Sequence, residues 1–207
     1  MNILILGATG STGKILVDQA LKQGHIVTAL VRDKTKLGIE HANLRVHTTD
    51  ILDESALAKE LIGQDAVLSA LGSGRNLHSD IISRTMPVLI SSMNKSKIRR
   101  LIFISSFGVG ETREQASFFS KLFFRVLLKD ILADKFKADQ MLRASDLDYT
   151  LVYPTRMTDG PKTGKYKAGT FIKIPFSPRI SKADVVDFML TEMKENHFVR
   201  QTAIISY

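Results

Sequence analysis

The stretch NILILGATGSTGKILVDQALKQG, residues 2–24, decides the fold. Its first five residues are a short apolar run rich in Ile and Leu, the pattern of a strand buried on both faces. From Ser11 onward the period changes. Ile15, Leu16, Ala20 and Leu21 fall on one helical face, and Gly24 supplies the stop. Between strand and helix lie Gly7, Gly10 and Gly13. Gly7 permits a tight turn, Gly10 lets backbone come close to a pyrophosphate, and Gly13 allows close helix–strand packing. Free N–H groups and the positive end of the helix dipole hold phosphates at such a loop. Thr9 lies within it, and Ser11 and Thr12 add hydroxyl donors. The spacing is G-x-x-G-x-x-G rather than the generic G-x-G-x-x-G, so the context of strand, turn and helix carries the reading. A mononucleotide P-loop is excluded, because Ile15 follows Lys14 where a Ser or Thr is required.

Working outward, strands and helices alternate. Residues 26–31, 44–48, 65–71, 100–106 and 148–154 read as further strands. Helices fill the intervals: one capped by Asp53 and stopped by Gly63, one ending near Lys97, and a long stretch over 115–144 with a break near Lys129 and Asp130. Beyond Pro154 come a Gly/Pro-rich loop (155–169), a short strand (170–175), a helix capped near Ser181 and a terminal strand (202–206). Apolar strands alternating with helices predict an α/β fold: a Rossmann-like, doubly wound, mostly parallel sheet with helices on both faces. A single domain over 1–207 is expected, with 155–207 contributing the substrate-side loop and C-terminal elements. Ligands of such sheets bind beyond the carboxyl ends of the strands.

Composition narrows the function classes. Apolar residues make up 44% of 207, enough for a sizeable core, yet no uninterrupted apolar run reaches the ~20 residues of a membrane span. The first apolar run is too short for a signal peptide and has no basic region before it. Cysteine is absent, which removes disulfides, thiolate metal sites and a cysteine nucleophile and fits a reducing cytoplasm. The formal charge is +8, but the basic residues are scattered. The cluster at 95–100 reads as a solvated helix end, and with aromatics at 7% no nucleic-acid partner is expected. The histidines at 25, 41, 47, 78 and 197 show no metal-ligand spacing, so no metal is expected. Monomer and homodimer are both compatible with the sequence.

The second strand selects the nucleotide. An acidic residue at its end grips the ribose hydroxyls of NAD, whereas an arginine there accommodates the 2′-phosphate of NADP. Here the strand ends in Arg32, followed by Asp33 and Lys34. Arg32 can fork onto a phosphate and Lys34 adds charge, so NADP is favoured, with NAD as the alternative through Asp33. Asp50 and Ile51 follow the third strand, where a carboxylate can meet the adenine amine and an aliphatic chain its face. Ala70, Leu71 and Gly72 follow the fourth, where small residues let a cofactor pass close to backbone.

With these residues in place the chain resembles the atypical short-chain dehydrogenase/reductases, most closely the NmrA-like group and the biliverdin reductase B/flavin reductase branch. The likeness rests on GATGSTG (7–13), LVRD (30–33), ISSFGVG (104–110), the run LADKFKADQMLRASDLDYTLVYPTRMTDGPKTGKY (132–166) and RISKADVVDFML (179–190). It implies that Ser105 and Ser106 lie beside the nicotinamide, a strand-end cap being the plainer account of Ser105. It also implies that Lys135 contacts the nicotinamide ribose. A surface pair between Lys135 and Asp139, four residues apart, competes with that role. By the same resemblance Pro154, Thr155, Arg156 and Met157 fold over the carboxamide end, and Arg156 draws in an anionic substrate.

One departure matters. Short-chain dehydrogenases use Tyr-x-x-x-Lys as their acid–base pair, but none of the tyrosines at 149, 153, 166 and 207 has a lysine four residues later. Hydride transfer to a flavin, a quinone or a related planar acceptor needs mainly proximity and orientation, with solvent supplying the proton. The expectation is therefore a reductase acting on a small-molecule hydride acceptor, with Ser106 and Lys135 as catalytic candidates. A non-catalytic NmrA-like redox sensor is the rival. The Phe-rich stretch 117–132 reads as core packing, as an apolar wall over the substrate, or as a membrane- or partner-binding helix.

Overall fold

In the computed structural model, residues 1–72, 74, 78–114, 128–175 and 177–207 are described. Among the described residues ten strands run in chain order as β1 (Asn2–Leu6), β2 (Ile26–Val31), β3 (Leu44–Thr48), β4 (Ala66–Ser69), β5 (Arg100–Ile104), β6 (Asp148–Pro154), β7 (Arg156–Thr158), β8 (Lys167–Gly169), β9 (Arg179–Ser181) and β10 (Gln201–Ser206). The described α-helices are α1 (Ser11–Lys22), α2 (Glu54–Leu61), α3 (Ile81–Lys95), α4 (Lys129–Arg143) and α5 (Lys182–Glu195). Eight strands form one sheet in the order β3-β2-β1-β4-β5-β6-β10-β8, parallel except for β8, while β7 and β9 make a small parallel sheet of their own. This is the Rossmann-like α/β architecture that the alternation predicts.

Strand β1 shows how sequence becomes layers. Its side chains alternate, so Ile3 and Ile5 enter one core while Leu4 and Leu6 enter the other. The first core is closed by Leu16, Val17 and Ala20 of α1 with Val185, Val186 and Met189 of α5. The second is closed by Leu57 and Leu61 of α2, Ile82, Met86 and Leu89 of α3, and Ala138 and Leu142 of α4. Ile3 to Leu6 are thus all needed inside, which is why the run carries no polar alternation.

Strand order reverses between β1, which leads to β2 and β3, and β4, which leads the other way. The crevice at that reversal is where doubly wound sheets bind ligands.

The region after Pro154 departs from expectation. Residues 170–175 are not a strand; the strand is β8, one step earlier, antiparallel to β10. At Gly169 an added Cβ would lie 3.1 Å from the Phe171 carbonyl oxygen, so the chain turns back there and cannot run on extended. The expected loop 155–169 also contains β7, paired in register with β9. Of the Phe-rich stretch, residues 117–127 lie outside the described residues, and Lys129 to Leu132 open α4. No described helix is long and apolar enough to cross a membrane.

Candidate functional site

The glycine loop joins β1 to α1 as the sequence predicts, and each glycine has its own reason. Gly7 has φ +75°, and a Cβ on it would sit 2.5 Å from the carbonyl oxygen of Ala70 at the end of β4. A Cβ on Gly13 would sit 2.0 Å from the Gly7 carbonyl oxygen, so the first turn of α1 rests directly on the loop. Gly10 differs: a Cβ there would meet only the Gly7 carbonyl oxygen, at 3.3 Å. Gly7 and Gly13 therefore build the loop, and Gly10 leaves its outer side open. Gly10 is also the N-cap of α1, with no side-chain cap and no acidic residue in the first turn. An uncapped helix start behind an open glycine suits a pyrophosphate. Ser11 is exposed, Thr9 half-buried and Thr12 buried, which places Ser11 and Thr9 as the reachable hydroxyls. Gly72, beyond β4, also has open space where a side chain would stand.

At the end of β2, Arg32 is exposed and Asp33 is committed elsewhere. The Asp33 carboxylate accepts from the backbone N–H (3.0 Å) and hydroxyl (2.6 Å) of Thr35, capping a turn of 3₁₀ helix. These bonds to Thr35, with Lys36 nearby, hold its carboxyl below the usual range. A carboxylate already serving as a cap is a poorer ribose ligand than a free one. Asp50 likewise accepts the Leu52 N–H at 2.9 Å while remaining exposed, and Ile51 beside it is half-buried.

The opposite end of the cleft holds a buried polar network. Lys135, on α4, points its Nζ at the backbone carbonyl of Ser105 (2.6 Å), just after β5. Asp139, one turn on, is 1% exposed; its Oδ2 accepts from the Ser105 hydroxyl (2.7 Å) and from the Tyr153 hydroxyl (2.6 Å) on β6. Its Oδ1 is buried without a hydrogen-bond partner. The pair at 135 and 139 is thus no surface ion pair. Burial lowers the Lys135 ammonium to about 8, against the opposing pull of Asp139 and Asp134. Burial also raises the Asp139 carboxyl to about 6, although Tyr153, Ser105 and Lys135 act the other way. Burial and the Asp139 carboxylate push Tyr153 above the ordinary tyrosine value, so it keeps its proton. Ser105 is fully buried with its hydroxyl engaged, whereas Ser106 is half-buried and donates to the Phe107 carbonyl at 3.2 Å.

Helix α4 is fixed in place by Asp134, whose carboxylate accepts from the N–H groups of Ile82 (3.2 Å) and Ser83 (2.9 Å). It caps α3 from a neighbouring helix and so sets the height of Lys135 over the sheet. Pro154 and Thr155 are buried, and the Pro154 carbonyl accepts the Phe107 N–H at 3.1 Å. Arg156 and Met157, which follow, are exposed. Hydrogen bonds thus link Lys135 to Ser105 and Phe107 to Pro154, so Lys135, the segment after β5 and the end of β6 share one end of the sheet.

Sequence reasoning passed over Asp134 and Asp184, read Asp139 only as half of a surface pair, and named Tyr153 only as a tyrosine without a lysine partner. A signal existed for Asp139: Leu132, Lys135, Asp139 and Leu142 fall at steps of three and four, so a carboxylate sits on the stripe that faces the sheet. Asp184, fully buried at the start of α5, takes the N–H groups of Thr163 and Gly164 (both 2.8 Å) and the hydroxyls of Thr163 (2.8 Å), Ser181 (3.1 Å) and Tyr207 (2.7 Å). It ties the loop after β7 to α5 and to the residue after β10. Its donors come from three separate places in the chain, so no local spacing announces it.

Known proteins resemble this chain to differing degrees. The chloroplastic protein At2g34460 of Arabidopsis thaliana, itself uncharacterized, is 27% identical over 78% of this chain, and the match spans 61% of its own length. ChuY of Escherichia coli O157:H7, an anaerobilin reductase, superposes with a TM-score of 0.81 at 22% identity, over 99% of this chain and 96% of that one. A wide-type short-chain dehydrogenase/reductase of Veillonella parvula in complex with NADP gives 0.81 at 21% identity, over 100% and 94%. At these identities the two structures testify to the fold. The sequence profile of the family described as NAD(P)H-binding matches residues 7–196, nearly the whole chain. With its glycine cradle at the sheet's switch point, the chain belongs to that NAD(P)H-binding family.

Proposed function

We propose that this protein is an NADPH-dependent reductase that delivers a hydride to a small planar acceptor such as a flavin or a quinone. One observation carries the reading: an open dinucleotide cradle is combined with a nicotinamide-side network whose tyrosine is sequestered. Tyr153 is buried, bonded to Asp139 and held protonated, so it is a poor acid at neutral pH. When bound, the nicotinamide supplies the hydride. The residues here bind and orient. Gly10 and the start of α1 hold the pyrophosphate, with Gly7, Thr9, Ser11, Thr12 and Gly13 shaping the loop. Arg32 takes the 2′-phosphate; Asp50 and Ile51 flank the adenine, and Ala70, Leu71 and Gly72 let the chain of the cofactor pass. Lys135 meets the nicotinamide ribose, and Ser106 donates to the acceptor. The acceptor gains the hydride and one proton, and water supplies the proton.

Within its family the chain is assigned to the NmrA-like, biliverdin reductase B/flavin reductase-like branch, as one domain with residues 155–207 on the substrate side. The absence of Tyr-x-x-x-Lys also suits a redox sensor that binds a partner according to cofactor state. Steady-state NADPH oxidation against FMN, FAD, quinones and biliverdins separates the two. Turnover with at least one acceptor is expected. Micromolar NADPH binding with no turnover on any of them would replace the reductase with the sensor.

A further inference from the structure

The small sheet made by β7 and β9 has a feature that the dinucleotide site does not use. Its register pairs Arg156 with Arg179, Met157 with Ile180, and Thr158 with Ser181. Paired residues of neighbouring parallel strands lie about 4.8 Å apart and project to the same face. Ile180 is fully buried in the core shared by α1 and α5, so the alternate position, held by the two arginines, faces away from that core. Both arginines are exposed, and among the described residues neither guanidinium has an ion pair or a hydrogen-bonded partner. Nearby cations are treated differently: Lys162 is paired with Asp187 (2.6 Å) and Lys182 with Asp159 (2.7 Å). Like charges directly opposite one another on a sheet are destabilising, so an unneutralised arginine pair is a standing cost to the fold.

The backbone beneath the pair is rigidly tied. The Arg179 carbonyl accepts the Tyr207 N–H at 3.1 Å, and Thr155, just before Arg156, donates its N–H to Ile205 (3.1 Å) and bonds the Ser206 hydroxyl (3.1 Å). Pro154, two residues before Arg156, is bonded to Phe107, beside Ser106. The pair therefore stands next to the acceptor end of the cleft, across the sheet from Arg32, which follows β2.

We propose that Arg156 and Arg179 form an oxyanion subsite that grips the phosphate or carboxylate of the hydride acceptor. Two planar guanidinium forks on adjacent strands match the geometry of either group. The acceptor class is thereby narrowed to planar molecules with an anionic arm. The subsite rests on the reductase reading only for the reaction that follows binding.

The test is titration of three flavins sharing one ring system into protein saturated with NADP⁺, read by flavin fluorescence. FMN carries a phosphate, a flavin with a carboxymethyl group at N10 carries a carboxylate, and riboflavin carries neither. At least one charged flavin is expected to bind about tenfold tighter than riboflavin, and which one does so names the oxyanion. That advantage is expected to shrink as salt is raised in the unmodified protein, and to fall within about twofold in Arg156→Gln and Arg179→Gln. Equal affinities for all three, an advantage that survives both substitutions, or no binding by any of the three overturns the subsite. NADPH oxidation with saturating riboflavin tests the reductase separately. Turnover without a charge preference leaves the reductase and removes the subsite; a charge preference without turnover does the reverse.

Discussion

The Nζ of Lys135 donates a 2.6 Å hydrogen bond to the backbone carbonyl of Ser105, joining α4 to the end of β5. The groups facing this ammonium are Ser105, just after β5, and, on its own helix, Asp134 and Asp139, with Tyr153 of β6 reaching Asp139. Burial lowers the ammonium to about 8, so it is charged at pH 7 and neutral well above pH 8. If the charged form holds the ribose, kcat/KM for NADPH falls above about pH 8, roughly tenfold per pH unit. In Lys135→Met that alkaline limb should vanish, with kcat/KM reduced at pH 7. A limb at the same pH in the methionine variant would assign the titration to another group.

Tyr153 offers the complementary experiment. Its hydroxyl is spent on Asp139, so Tyr153→Phe should keep kcat within a few-fold of the parent protein. Stability should drop by about 1–3 kcal/mol, because the buried Asp139 carboxylate loses one of its two donors. Thermal melting and steady-state NADPH oxidation read the two effects. A loss of kcat of about a hundredfold or more, with the melting temperature unchanged, would make Tyr153 the proton donor after all.

For Arg32 the expected result is selective. Arg32→Ala should raise the Kd for NADPH by about 10- to 100-fold, the worth of a charge-assisted phosphate contact, while NADH changes little. Asp33 is not free to compensate, since its carboxylate caps the turn at Thr35. Equal weakening of both dinucleotides, measured by calorimetry, would show that Arg32 serves the adenine or the fold rather than the 2′-phosphate.

The loop glycines separate binding from stability. Gly10 sits at φ −71°, an ordinary extended conformation, and a Cβ there meets only the Gly7 carbonyl oxygen. Gly10→Val should therefore fold, yet lose NADPH affinity by at least about a hundredfold as its side chain occupies the pyrophosphate's approach. Gly13→Ala should do the opposite damage. Its Cβ would fall 2.0 Å from backbone oxygen, costing at least about 1–3 kcal/mol, and melting should fall by roughly 2–4 °C for each kcal/mol.

These contrasts mark what the sequence discloses. The sheet was legible because β1, β2, β5 and β6 are buried on both faces along most of their length and so had to be predominantly apolar. Gly7, Gly10 and Gly13 were legible because a tight turn restricts residue type locally. Strand β8, Lys-Ala-Gly, was not, since a short exposed edge needs no apolar alternation. Asp139 was hidden for a different reason. A carboxylate on a helix is usually solvated, and only the partners Ser105 and Tyr153, 34 and 14 residues away, make its burial tolerable. Arg156 was legible as a cation near the substrate, but its pairing with Arg179 was not, because register between β7 and β9 is a tertiary fact.

Asp184 tests how far the substrate-side loop depends on one carboxylate. Burial alone would raise its pKa, but the hydrogen bonds from Tyr207, Gly164 and Thr163 outweigh this and bring it to about 2. The folded value lies below the ordinary carboxylate value of about 3.8, so the unfolded chain binds the proton more readily. The stabilisation is then complete above about pH 4 and lost as pH falls through about 2. Asp184→Ala removes both acceptor oxygens and leaves the N–H groups of Thr163 and Gly164 without their partner. It should cost about 1–3 kcal/mol at pH 7, and should flatten the acid limb of the melting curve between pH 4 and 2. Hydrogen exchange at Thr163 and Gly164 should rise well above that of β1 in this variant, because their acceptor is gone. Unchanged exchange at both amides would show that Lys162, Tyr166 and Lys182, bonded to Asp187 and Asp159, hold the loop without Asp184.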